Sequence, residues 1–271
     1  MKWMLILACI ASGPMAERDS GQIDADLREA AAQGTPFAKR LYDVAREALG
    51  TPYQDGPLGE GVGGKYDTDP MVDFGQVDCV TYVEQSLALA TASSYDEMFA
   101  NLQKIRYRDG KTDFENRNHF MISDWVANNP FHVDVTDQLG VETDKVSRTI
   151  SRKGFFERVN APGLGLDTPD EEIALSVVPP SKTKQAEENM PSPSLIVFVG
   201  KVDWLFSLHC GLYLRDEDGR GRLYHGSSKA GEVVEVDLAD YMNQQAGRYI
   251  GFSAYRIDEP DFAGNDGAEQ R

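Results

Sequence analysis

The sequence predicts an α+β domain, helical in its first half and built on an antiparallel sheet in its second. Two stretches carry that prediction. Val77-Asp78-Cys79 opens a run to Ala90 that is almost wholly apolar, the pattern of a buried helix. From Pro193 onwards, apolar runs rich in Val, Ile, Leu, Phe and Tyr follow one another at 195–199, 205–214, 221–225, 232–236 and 250–257. Connections this short pair strands antiparallel.

The 271 residues carry a formal net charge of −17. Such a field repels nucleic acid and anionic membrane, so neither is expected as a partner. Residues 1–16 place Lys2 before a short apolar run and then small residues, a secretory signal pattern. Ile6-Leu7-Ala8-Cys9 also resembles a lipoprotein box, which would anchor the chain through Cys9. An exported protein of the periplasm or cell envelope is expected, with no membrane-spanning segment. Residues 17–35 read as a polar lead-in, 36–257 as one catalytic domain, and 258–271 as an acidic, disordered tail.

Within the domain, Phe37, Leu41, Val44, Ala45 and Ala48 recur at helical spacing, with Gly50 as a stop. Thr51-Pro52-Tyr53 and the glycine-rich stretch 56–64 then form a long loop, a natural cleft wall beside a helix start. Helices are expected at 95–105 and at 117–129, the latter stopped by Pro130, and a strand at 131–135. Two basic clusters, Lys104 to Lys111 and Lys145 to Arg158, suit either solvated surface or an acidic ligand. Residues 159–192 read as a loop-rich excursion ordered only at 172–178, Asp216 to Gly219 as a hairpin loop, and 238–245 as a helix.

Asp78 is a good N-cap, which puts Cys79 at the first helical position. The positive end of the helix dipole stabilises a thiolate there, although a buried cysteine in a core helix is the commoner fate of this residue type. On the strand His209-Cys210-Gly211-Leu212-Tyr213-Leu214, alternation puts His209 on one face and Cys210 on the other. Cys210 is therefore expected to point away from Cys79, leaving Cys79 free. His225 ends the neighbouring strand and can orient His209 across the hairpin. Cys79, His209 and His225 then supply a nucleophile, a base and the group that fixes the base's tautomer.

Leu49-Gly50-Thr51-Pro52-Tyr53, Asp78-Cys79, Pro193 to Phe198, His209 to Leu214 and Tyr224-His225-Gly226-Ser227-Ser228, in this order, resemble the NlpC-type cell-wall cysteine hydrolases. Asp78 to Glu84, Arg117-Asn118-His119-Phe120 with Asp124-Trp125, Asp134-Val135-Thr136, and Gly251-Phe252 with Tyr255-Arg256-Ile257 resemble their N-acetylmuramoyl-L-alanine amidase-like branch. The match spans about residues 37 to 257.

The resemblance implies a papain-like core with inserted helices and loops, Cys79 as nucleophile, His209 as base and His225 as the orienting residue. Tyr53 would lie beside the cysteine at the oxyanion site, and Asp78, Glu84 and His119 match motif positions on the substrate side. It implies cleavage of the amide between N-acetylmuramic acid and L-alanine in peptidoglycan or muropeptide fragments, with no cofactor and no metal. Gly226 stands where an alanine is expected, and the hairpin between the two histidines is longer than in the simplest relatives. Three rivals remain: a γ-D-glutamyl endopeptidase with the same triad, a non-catalytic peptidoglycan-binding module, and a zinc amidase using His119, His132, His209 and His225. The last lacks any His-Glu-x-x-His motif or comparable ligand spacing.

Overall fold

The computed structural model describes residues 15–202 and 204–262. Most of the expected leader, with Cys9, and most of the acidic tail lie outside the described residues. Four helices come first: α1 (Ser20–Ala32), α2 (Phe37–Glu47), α3 (Cys79–Thr91) and α4 (Tyr95–Arg106). The polar lead-in is thus largely helical. Asp19 and Gln22 cap α1 reciprocally, and Ile23 and Leu27 bury its inner face. Met15, inside the expected leader, is also buried.

The segment expected as a helix from Arg117 is extended as far as Phe120. It then forms a six-residue π-helical turn, Met121–Val126. The buried carboxylate of Asp124 explains the late start: it accepts from the Phe120 N–H at 3.1 Å and pairs with Arg152. Strand β1 (His132–Asp134) follows, and then β2 (Asp144–Ile150), α5 (Arg152–Arg158) and β3 (Glu171–Val177). The second basic cluster therefore lies on a strand and a helix, and β2 pairs with β3 in a separate two-stranded sheet. A short turn, α6 (Thr183–Ala186), leads to β4 (Ser194–Gly200), β5 (Ser207–Arg215), β6 (Gly221–Ser227), β7 (Glu232–Val236), α7 (Leu238–Gln244) and β8 (Tyr249–Ile257).

The main sheet has six strands in the order β1-β8-β4-β5-β6-β7, all antiparallel. The period-2 pattern sorts its two faces. Leu195, Val197, Cys210, Leu212 and Leu214 join the cluster under α1 to α4, while Ile196, Phe198 and Tyr213 join the cluster under α7. Helix α3 lies in the middle of the first cluster, with every residue from Thr81 to Ala90 buried. That burial fixes the direction of its axis and hence the position of Cys79 against β5 and β6.

Candidate active site

The start of α3 is held by its own side chains. Asp78 Oδ1 accepts the N–H groups of Val80 (2.9 Å) and Thr81 (2.7 Å), and Thr81 Oγ1 accepts the Asp78 N–H at 2.8 Å. Asp78 Oδ2 accepts the Gly56 N–H at 3.2 Å, which ties the glycine-rich loop to the helix start. Burial, and then the neighbouring Cys79, raise the Asp78 pKa. Asp78 is accordingly a cap that sets the position of Cys79.

Cys79 is half-buried and free of any disulfide. Its thiol pKa is held well below the ordinary value. The largest cause is a hydrogen bond from the Cys210 side chain, which outweighs burial, and His209 adds a hydrogen bond and its charge. His209 is fixed on three sides. Phe198 stacks on it at 5.6 Å and 26°, Tyr241 lies 6.0 Å away, and His225 meets it edge-on at 4.7 Å and 84°. His209 Nε2 and His225 Nδ1 share a hydrogen bond of 2.8 Å. With Nε2 so engaged, Nδ1 is the nitrogen left to serve Cys79. His225 is 1 % exposed. Burial first, and then the charge of His209, push its pKa down to about 3. It is therefore neutral and can accept from His209.

The expectation that Cys210 turns away from Cys79 is overturned. The alternation itself holds, with Cys210 on the helical face of the sheet. Cys79 nevertheless lies where both faces can reach it. The β5–β6 ladder runs only from Leu212 to Arg215, and the strands are bare of side chains at Gly211 and Gly226. A Cβ on Gly226 would stand 3.0 Å from the Asp78 carbonyl oxygen and 3.4 Å from the Cys79 nitrogen. The helix start thus rests directly on β6. Cys210 Sγ donates to the Cys79 carbonyl at 3.3 Å, while His209 approaches the thiol from the other face. The glycine at 226 follows from that close contact.

Tyr53 lies near the start of α3, within electrostatic reach of Cys79. Its main chain bridges to Val77 and bonds to Gly231, and burial and the charge of Cys79 raise its phenol pKa. Glu84 and His119 are placed elsewhere. Glu84 is buried, accepting from Arg106 Nε at 3.2 Å and from Trp125 Nε1 at 2.9 Å. Arg106 in turn donates to the Leu58 carbonyl at 3.0 Å. Glu84 therefore anchors the glycine-rich loop from inside, and a residue five positions along a buried helix has no route to a ligand. His119 packs among Phe114, Phe155 and Phe156, its Nε2 bonded to the Phe114 carbonyl at 2.6 Å, and burial lowers its pKa to about 4. His132 lies between Trp125 and Phe131. The four histidines of the zinc rival are thus spread over three separate clusters, and among the described residues no three metal-ligating side chains converge.

A cavity of about 400 Å³ opens from His209 and His225, lined further by Ser227, Lys229, Tyr241, Arg248 and Tyr249. Sequence reasoning missed the aromatic frame of Phe198, Tyr241 and Tyr249. Its signal was present in Tyr241 on α7 and Tyr249 at the start of β8, but nothing local tied them to His209.

Fold and site together define an α+β protein in which a helix-initial cysteine faces a buried histidine pair. The chain belongs to the N-acetylmuramoyl-L-alanine amidase-like (AmiA-like) family, whose model matches residues 43–248. Among solved structures, it is similar to a Legionella pneumophila protein of family model DUF1460 (21% identity, TM-score 0.76, covering 88% of this chain and 97% of that one). It is also similar to an N-acetylmuramoyl-L-alanine amidase from Bacteroides uniformis (23% identity, TM-score 0.64, 82% and 99%). A third is a Bacteroides fragilis chain provisionally assigned as a xylanase (24% identity, TM-score 0.60, 79% and 98%). No functionally curated protein is significantly similar to the chain in sequence. Among the described residues no helix is long and apolar enough to cross a membrane.

Proposed function

We propose that the protein is a thiol amidase of the bacterial cell wall, with a papain-like catalytic arrangement, that cleaves the bond between N-acetylmuramic acid and L-alanine. The observation that carries this reading is the 2.8 Å His209–His225 hydrogen bond beside a Cys79 thiol of lowered pKa. A binding module has no use for an acidic thiol facing an oriented imidazole. The Cys79 thiolate attacks the lactyl carbonyl. The Cys79 N–H, left over when Asp78 caps Val80 and Thr81, and the Tyr53 hydroxyl bind the oxyanion. The His209 imidazolium, held by neutral His225, protonates the leaving amine and then, as a base, activates the water that hydrolyses the thioester. The leader-like pattern of residues 1–16 supports the cell envelope as the place of this activity.

Hydrolysis of a glycan fits the site less well. It ordinarily needs two carboxyl groups flanking the bond, and among the described residues Glu235 is the one carboxylate lining the cavity beside the histidines, paired with Arg222 at 2.9 Å.

Mass spectrometry of defined muropeptides tests the proposal, using wild type and Cys79→Ala with EDTA present. Free stem peptide and intact amino sugar, lost in the variant, are expected. Cleavage inside the stem would transfer the same machinery to the γ-D-glutamyl bond. Activity that survives Cys79→Ala but fails in EDTA would overturn thiol catalysis.

A further inference from the structure

We infer that Arg248, assisted by Lys229, forms a carboxylate-binding subsite for the peptide that leaves the scissile bond. This rests on the amidase reading and adds to it the charge of the substrate portion. Three observations converge. Both cations line the cavity that opens from His209 and His225. Both are exposed, and neither has a carboxylate partner among the described residues. The contrast with neighbouring Arg222 is direct, since that residue is taken up by Glu235 at 2.9 Å and Asp237 at 3.9 Å. Finally, the Arg248 guanidinium lies over the Tyr249 ring at 5.3 Å. The contact holds the charge at the cavity that Arg248 lines.

The chemistry fixes which part of the substrate meets them. His209 gives its proton to the leaving amine, so the amine and the peptide attached to it lie on the His209 side of the bond. The acyl part stays on Cys79. The cavity on the His209 side is the one Arg248 and Lys229 line, and a stem peptide that begins L-alanyl-D-glutamate presents a free α-carboxylate one residue beyond the amine. Arg248 can take that carboxylate through two parallel N–H donors.

The test compares N-acetylmuramoyl-L-alanyl-D-glutamate with its α-carboxamide, in wild type, Arg248→Gln, Arg248→Glu and Lys229→Gln. The expected result is a preference of wild type for the free acid of about 10-fold in kcat/KM, expressed in KM. It should be lost in Arg248→Gln, reversed in Arg248→Glu, reduced in Lys229→Gln, and weakened by salt. Equal rates for acid and amide in wild type, or an unchanged ratio in Arg248→Gln, would overturn the subsite. If wild type hydrolyses neither compound, the amidase reading falls on its own. Calorimetry of L-alanyl-D-glutamate and of its amide with Cys79→Ala, with and without Arg248→Gln, then decides the subsite. Acid-selective binding that needs Arg248 supports it, and equal or absent binding overturns it.

Discussion

The Cys210 thiol donates a hydrogen bond to the main-chain carbonyl of Cys79 at 3.3 Å, and the same side chain is the largest influence lowering the Cys79 pKa. Cys210 itself is pushed well above the ordinary thiol range by the hydrogen bond to Cys79 and by burial. The two sulfurs therefore divide the roles, with Cys79 as the thiolate and Cys210 as its protonated neighbour. Cys210→Ala removes the donor without adding bulk. With the largest lowering influence gone, the Cys79 pKa should move up towards the ordinary thiol value. The pH dependence of Cys79 alkylation by iodoacetamide measures this directly, and an unchanged midpoint would remove Cys210 from the site.

Gly226 is the second residue that sets the nucleophile's position. A methyl group there would press on the Asp78 carbonyl from 3.0 Å. The helix start would have to move by a few tenths of an ångström. A displacement of about 1 Å can cost about 100-fold, so Gly226→Ala should lower kcat by roughly 3- to 10-fold. Its melting temperature should change little, because β6 and α3 keep their remaining contacts. Unchanged kcat would mean that the helix start yields freely.

His225 is predicted to act only as an orienting acceptor. His225→Gln should lower kcat by roughly 10- to 1000-fold with KM nearly unchanged, since mispositioning the base damages the transition state more than binding. The pKa of His225 is pushed down to about 3, so the residue stays neutral throughout the working range. The pH–rate profile of wild type should show no inflection attributable to it above pH 4. Imidazole NMR of a His209→Ala protein reads the His225 titration by itself, and a midpoint near the ordinary histidine value would contradict its assigned state.

The sequence disclosed those elements whose pattern is local. The 232–236 strand matches β7 residue for residue, and α3, with its Asp78 cap, begins where expected. The grouping of Cys79 with His209 and His225 was legible because a helix-initial cysteine and two same-face histidines on paired strands follow period rules. What was not legible depends on where elements meet. Strict alternation put Cys210 out of reach, and only the bare glycines at 211 and 226 with the short β5–β6 ladder explain how both faces touch Cys79. Glu84 sits in a catalytic-looking motif, yet its partner Arg106 lies 22 residues away on another helix. The lead-in helix was missed because its apolar face is only Ile23 and Leu27.

Two buried groups away from the thiol give opposite, measurable pH signatures. Burial raises the folded-state pKa of Glu84 to about 7 from 4.5, against the opposing pull of Arg106. Between those values the folded state binds more protons than the unfolded, so this group's contribution to stability falls as pH rises through the window. Burial lowers His132 to about 4 from 6.5. There the unfolded state binds more protons, so stability is lost as pH falls from 6.5 towards 4. Each contribution amounts to roughly 3 kcal/mol at most over its window. Relative to wild type, Glu84→Gln should therefore gain stability from pH 5 to pH 7, and His132→Phe should lose it from pH 4.5 to pH 6.5. Urea unfolding at half-unit pH steps measures both differences. Parallel curves for Glu84→Gln and wild type would mean that Glu84 is fully ionised against Arg106 across the range. In that case the loop anchor at Leu58 is a permanent ion pair, and its truncation by Glu84→Ala should cost about 3–5 kcal/mol at every pH.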